Sequence, residues 1–260
     1  MRINELHQLD TLVRGGLWFS RIDTFKDCLE GTLPNRNVGL LEKLLPEQMS
    51  EEALREYRFS AKRDYATCWT MSDSDPSKEM WEAQFGNRGK GIAVRSTSAA
   101  LIEATRSIRG EDGPVYLGRV RYINHEVDLI PEAQTLEACF VVKEEFRYQN
   151  EVRLLIHSYG HNAATILAST KSFWGEALVR RVEKEQSETA VTEFVGFVPE
   201  NAPGKAREHD GQAIVLPVDP SQVVQEVLLG WRLDSTEVQK VYSVLQEARM
   251  EHLMRQIEKP

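Results

Sequence analysis

Apolar positions recur along the chain at two periods, and the switches between them mark out the elements. Leu6, Leu9, Leu12 and Val13 share one side of a helix predicted over 5–14. Gly15-Gly16 ends it, because glycine accepts the left-handed conformation that follows a helix. A strand follows at 17–20. Residues 21–45 read as a loop and a short helix. A charged amphipathic helix is predicted over 46–63, with Met49, Ala53, Leu54 and Tyr57 as its apolar side. Residues 66–70 read as a strand. Ser72 to Pro76 then supply turn and cap chemistry for a helix reaching Phe85. A buried strand is predicted at 92–96 and a helix at 99–108.

The second half alternates more. Val115, Leu117, Val120 and Tyr122 lie among polar neighbours and predict one strand over 115–123, irregular at Gly118-Arg119. A helix is predicted over 131–144. Val152, Leu154 and Ile156 predict a strand over 151–157 with one apolar face. A helix is read around 174–184. Strands follow at 190–198, 212–218 and 224–229. Asp234 caps a final helix carrying Val238, Val241, Val244, Leu245, Ala248 and Leu253. Strands scattered among helices of uneven length, with no repeat and no clear linker, predict a single α+β domain over 1–260. Its expected architecture is a central, mostly antiparallel or mixed sheet flanked by helices, with a C-terminal helix.

Composition narrows the function classes. The chain has 260 residues, enough for one sizeable core without staples. A net charge of −8 argues against coating nucleic acid by charge alone, although a local basic groove is compatible with it. Three scattered cysteines, Cys28, Cys68 and Cys139, show no metal-ligand spacing and read as reduced thiols of a cytoplasmic protein. No apolar run approaches the roughly 20 residues that cross a bilayer. The start lacks the apolar core of a signal peptide.

Generic chemical motifs are few. Gly86 to Gly91 is glycine-rich but lies between a helix and a strand, the wrong order for a dinucleotide fingerprint. His157 and His161 are close in sequence but read as loop residues rather than a metal site. Two segments stand out. In the first, Cys68-Trp69 precedes Glu79-Met80-Trp81, and helical spacing puts Trp81 and Phe85 on one face with Glu79 offset. An aromatic core face accounts for the two rings and leaves Glu79 unexplained. In the second, Glu151 and Arg153 share a strand face opposite Val152 and Leu154. That face is either a solvated surface with an ion pair or one wall of a cleft.

With the opening unit, these segments resemble the bacterial domain of unknown function 2971 family. The motifs are Leu17-Trp18-Phe19-Ser20 and the loop to Gly31; Cys68-Trp69; Lys78-Glu79-Met80-Trp81; Gly91-Ile92-Ala93-Val94; Gly118-Arg119-Val120-Arg121-Tyr122; Lys143…Phe146…Glu151-Val152-Arg153; and Leu216-Pro217-Val218-Asp219-Pro220. Cys28 stands where that family usually has proline. Residues 158–211 read as an insertion, and the first strand, at Arg2-Ile3-Asn4, as clipped. The order of elements also resembles the ADP-ribosyltransferase fold. This second resemblance implies NAD as substrate, with Glu151 as the late glutamate and Arg2 and Asn4 as the polar pair of the first strand. Ser96-Thr97-Ser98 is similar to a Ser-Thr-Ser motif of one branch of those enzymes.

The expected catalytic set is Glu151, Glu79 and Arg153, with no metal. Arg2, Arg21 or Arg153 would pair with the pyrophosphate, and Trp69 or Trp81 would stack on the nicotinamide. Ser96 completes the expected NAD-binding set. The cleft is expected between the Arg21–Glu30 loop, Glu79/Trp81 and Glu151/Arg153. Two rival readings are a non-catalytic interaction module of a defence or toxin system, such as phage defence, and a metal-dependent nuclease. The nuclease would use Asp23, Asp27 and Glu30 with the late Glu151-x-Arg153, but its base would be an arginine, which cannot give up a proton at neutral pH.

Overall fold

A computed structural model describes residues 1–3, 6–85, 89–106, 115–130, 135–157, 207–209 and 213–257. The predicted helix at 174–184, the predicted strand at 190–198 and, apart from 207–209, the expected insertion lie outside these residues. In chain order the strands are β1 (Arg2–Ile3), β2 (Gly16–Arg21), β3 (Asp64–Thr70), β4 (Ile92–Arg95), β5 (Val115–Arg119), β6 (Arg121–Ile123), β7 (Val141–Lys143), β8 (Glu151–His157), β9 (Arg207–His209), β10 (Ala213–Pro217), β11 (Glu226–Leu229) and β12 (Met254–Gln256). The helices are α1 (Leu6–Val13), α2 (Asn35–Leu44), α3 (Glu47–Ser60), α4 (Lys78–Phe85), α5 (Ser98–Arg106), α6 (Thr135–Ala138), α7 (Pro220–Val223) and α8 (Ser235–Glu247).

The strands form a six-stranded antiparallel sheet, ordered β5-β8-β3-β2-β10-β9, and a smaller sheet ordered β1-β4-β11-β12. Only β11–β12 is parallel in the smaller sheet. A parallel pair, β6–β7, stands apart. The fold is α+β with a C-terminal helix, as the pattern predicts.

Strand alternation assigns the faces. Leu17 and Phe19 on β2, Tyr65 and Trp69 on β3, and Leu154 and Ile156 on β8 point to one side of the large sheet. They meet Ile3, Val94, Val227 and Leu229 of the small sheet, with α1, α5 and α8 closing the core. Fully buried residues such as Leu17 and Phe19 each contribute about 1.5–3 kcal/mol by leaving water. On the opposite face of the small sheet, Leu228 packs against Trp81 of α4 and Ile257. On the opposite face of the large sheet, Ala66 and Leu155 meet Ile22, Cys139 and Phe140. The terminal helix starts on a full capping box, in which Asp234 accepts from the Glu237 backbone and Glu237 reciprocates.

Three expectations change. The strand predicted over 115–123 divides at Val120 into β5 and β6, whose partners are in different sheets. The helix predicted over 131–144 reduces, within the described residues, to α6, after which β7 and a 3-10 turn at Glu144–Gln149 follow. The last helix stops at Glu247, and Leu253 belongs to a separate turn leading into β12.

Candidate functional site

The large sheet splits along its middle. β3 pairs with β8 at all seven of its positions, Asp64↔His157 through Thr70↔Glu151. It pairs with β2 at only two, Ser20↔Ala66 and Arg21↔Tyr65, while the other edge of β2 pairs with β10 from Gly16 to Ser20. Beyond Ala66 the strands diverge. The Met71 N–H donates to the Asn150 carbonyl across the β3–β8 ladder. Antiparallel pairing alternates sides, so Cys68 and Thr70 direct their own N–H and C=O groups into the gap. A cleft of about 350 Å³ occupies the gap and the outward face beside it. Ligand sites commonly enclose about 300–1,000 Å³.

The cleft floor is charged. Glu151 and Arg153 on β8 share a face with Thr70 and Cys68 on β3, directly across the ladder. Asn150, in a left-handed conformation that asparagine tolerates, ends the preceding turn and sets the register of Glu151. The Arg153 side chain is 1% exposed. Its Nε donates to Glu151 Oε1 at 2.6 Å, Nη1 to the Cys139 carbonyl at 2.7 Å, and Nη2 to Glu30 Oε2 at 2.5 Å. The guanidinium also lies over the Phe25 ring, 5.5 Å from its centroid. Glu30 comes from the loop after β2 and is 11% exposed, and Glu151 is 7% exposed. One arginine between two carboxylates leaves a net charge of −1 when both are ionised.

Burial governs the titration of Glu30. It lifts the Glu30 carboxyl to about 7, although Arg153 pulls the other way, and Glu151 and Asp27 reinforce the rise. Burial also pushes the Cys68 thiol well up, with the Glu151 charge adding to it. Cys68 thus stays a neutral thiol hydrogen-bonded to Glu151. The Tyr122 hydroxyl accepts from the Glu151 N–H at 2.8 Å. Around the floor, Trp18 and Phe25 supply aromatic wall, and Ser20, Thr70 and Gln149 supply polar groups. Lys26, exposed and without an ion pair among the described residues, stands at the rim.

The expected residues part company here. Glu151 and Arg153 meet in the cleft, and their burial replaces the solvated-face alternative. Arg153 is enclosed by its partners and cannot reach out to a pyrophosphate. Glu79 does not join them. It is exposed in the first turn of α4, where hydrogen bonds from its own N–H and from Ser77 hold its carboxyl below the usual range. Arg21 points to the face opposite Ser20 and pairs with Asp23 at 2.6 Å. Trp81 is 1% exposed and belongs to the core under α4. Trp69 lines the cleft. Ser96 lines a neighbouring lobe. Arg2 is placed in β1, opposite Ala93, but its side chain is not among those described, and Asn4 lies outside the described residues.

The acidic loop serves three different cations: Asp23 meets Arg21, Asp27 meets Lys143 at 3.0 Å, and Glu30 meets Arg153. Among the described residues no three His, Cys, Asp or Glu side chains converge as a metal-ligand set. Two-metal chemistry needs converging carboxylates, so this arrangement lends the nuclease reading no support. Sequence reasoning placed Glu30 in the loop expected to line the cleft but gave it a chemical role only through that reading, and it missed Cys68 and Gln149 as parts of the cleft. The one available signal was register: once β3 and β8 are paired, Cys68 must face Arg153. Among the described residues no helix is long and apolar enough to cross a membrane. Comparison with models of protein families, with curated proteins and with solved structures gives no match.

Proposed function

We propose that the protein binds a ribosylated nucleotide of the NAD type in the split of the large sheet and cleaves its N-glycosidic bond. The observation that carries this reading is the Glu30–Arg153–Glu151 cluster on the cleft floor. Heterolysis of a nicotinamide–ribose bond sends the bonding pair to the ring, which leaves neutral. The ribose carbon is left with oxocarbenium character. The leaving ring needs no proton, so the site needs only a carboxylate beside the ribose and a base for the incoming nucleophile.

Glu151 supplies the first. It is oriented by Arg153 and by the Cys68 thiol, and its charge faces the developing cation in a site shielded from water. Glu30 supplies the second. Its pKa of about 7 suits a base working near neutrality, which takes the proton of water or of an acceptor group as the new bond to the ribose carbon forms. Lys26 is the cation within reach of the phosphates, and the Trp18 and Phe25 rings offer stacking surface.

Calorimetric titration with NAD, with nicotinamide release followed on wild type and Glu151→Gln, tests the reading. The expected outcome is binding by both proteins and a loss of about 10²–10³ in release by the variant. Absence of binding at millimolar NAD, or full activity in Glu151→Gln, overturns it and favours a non-catalytic interaction module.

A further inference from the structure

The cleft exposes a bare strand edge. Five consecutive residues of β3, Ala66 to Thr70, line it, because β2 parts from β3 after Ala66. Cys68 and Thr70 direct their main-chain N–H and C=O groups into the gap. Among the described residues neither main chain has a hydrogen-bond partner there. Both residues are half-buried rather than sealed, so the edge is reached from the cleft. Sheets usually guard such an edge with a charge, a proline or a covering segment. Cys68-Trp69-Thr70 carries neither charge nor proline.

The edge and the floor together select an occupant. The groups offered by Cys68 and Thr70 repeat every second residue, about 6.8 Å apart. An extended peptide has the same repeat, whereas a ring or a sugar meets one N–H/C=O pair at most. The outward side chains of β3 are small: Ala66, Cys68 and Thr70. A residue laid antiparallel opposite Cys68 would put its side chain on that same face, in line with Cys68 and Arg153. Neighbouring strands lie about 4.8 Å apart, so a long side chain passes over Cys68 and arrives at the carboxylates. Glu30 and Glu151 flank Arg153 and leave a net charge of −1 when both are ionised, which favours a cation at that position. The residues on either side of it would face inward, where the Thr67 hydroxyl donates to the Met1 sulfur, a place for β-branched apolar side chains.

We propose that the bare edge of β3 docks an extended peptide segment of a partner protein, added antiparallel to β3, with a basic side chain opposite Cys68 that reaches Glu30 and Glu151. The inference stands on the edge and the floor alone and does not rest on the N-ribosyl reading. Peptide and nucleotide would share that floor and so would be alternative occupants of it.

The test uses the full chain and the peptide acetyl-Thr-Val-Lys-Val-Thr-amide, with binding read calorimetrically. In antiparallel addition the central lysine exchanges both main-chain hydrogen bonds with Cys68. Methylating its amide nitrogen should therefore weaken binding about tenfold or more. Replacing it by glutamate should weaken binding on a similar scale of about tenfold. On the protein side, Thr70→Pro removes a main-chain donor that the β8 ladder does not use. Proline is tolerated where a strand N–H meets no neighbour, so Tm should hold while binding is lost. The methylated peptide on wild type decides the matter if that variant fails to fold. Absence of binding at millimolar peptide overturns the proposal, as does binding indifferent to both the methyl group and Thr70→Pro. Binding that needs the edge but ignores the charge overturns the basic occupant. A dimer that Thr70→Pro dissolves assigns the edge to a second copy of this chain and overturns the partner peptide. Turnover of NAD without peptide binding overturns the docking site alone. Edge-dependent, charge-dependent peptide binding supports it even where NAD is left intact.

Discussion

Raising the pH from 5 to 8 should destabilise the protein through one side chain, Glu30. Its pKa stands at about 7 in the folded chain against an ordinary 4.5, with burial as the largest cause. The folded state therefore keeps a proton that the unfolded chain releases. Below pH 4.5 both states are protonated, and the stability this proton contributes is complete. It is lost as the pH rises through the folded value, and above that value both states are ionised. Integrating between these two pKa values gives a loss of about 2.5 kcal/mol from pH 5 to pH 8. The side chain is only 11% exposed, so solvent screening removes little of this.

Glu30→Gln has no such proton to lose. Urea unfolding of wild type and variant at pH 5 and at pH 8, with the difference taken twice, cancels every other titrating group. The variant should gain about 2.5 kcal/mol on wild type between the two pH values, or about 5–10 °C in Tm for a chain of this size. Parallel profiles would refute the reasoning. So would a change of opposite sign, which would mean that the Arg153 charge outweighs burial and holds Glu30 ionised throughout.

Two further substitutions probe the same architecture. Arg153→Met leaves Glu30 and Glu151 facing each other without a cation. It should cost about 3–5 kcal/mol at pH 8 and less at pH 5, where protonation of Glu30 relieves the repulsion. A pH-independent loss in urea unfolding would show that the methionine fails for packing reasons instead. Gly230→Ala would put its Cβ 2.1 Å from the Gly89 carbonyl oxygen, a backbone atom that cannot swing away. A loss of about 2–3 kcal/mol in thermal unfolding is expected, and an unchanged Tm would show that the two segments part easily.

What the sequence disclosed follows from the range of the forces involved. β8 was legible because Val152, Leu154 and Ile156 alternate with charge, and alternation is a local signal. The start of the final helix was legible because Asp234 and Glu237 cap it from within. The segment 139–142 was misread as helix because Cys139, Phe140, Val141 and Val142 are all buried. A continuous apolar run carries no period, so it cannot distinguish a helix from a covered strand. The division at Val120 was also invisible. It arises because β5 follows β8 while β6 follows β7, and those partners lie about twenty to forty residues away.

The site divides along the same line. The shared face of Glu151 and Arg153 could be read from β8 alone, but its burial could not. Burial comes from Glu30, over a hundred residues earlier, and from Cys68 across the ladder. Trp69 and Trp81 look equivalent as aromatic neighbours of a motif. Only the packing of α4 on the small sheet sends Trp81 into a separate core there, while strand alternation on β3 sends Trp69 into the main core.

Two departures from maximal stability coincide at this junction. An arginine buried between carboxylates stabilises a fold less well than an apolar trio of similar volume often would. A sheet that parts at Ala66 also forgoes the ladder bonds that further β2–β3 pairing would supply. Either feature alone has structural explanations. Together they place a carboxyl of near-neutral pKa beside an open backbone edge, in a cleft large enough for a nucleotide. The same burial that makes Glu30 a liability to folding above neutral pH makes it a serviceable base there. The stability loss should therefore level off near pH 7, the same pH at which nicotinamide release reaches half its full rate, and Glu30→Gln should remove both features. A release profile whose midpoint survives that substitution would assign the base to another residue.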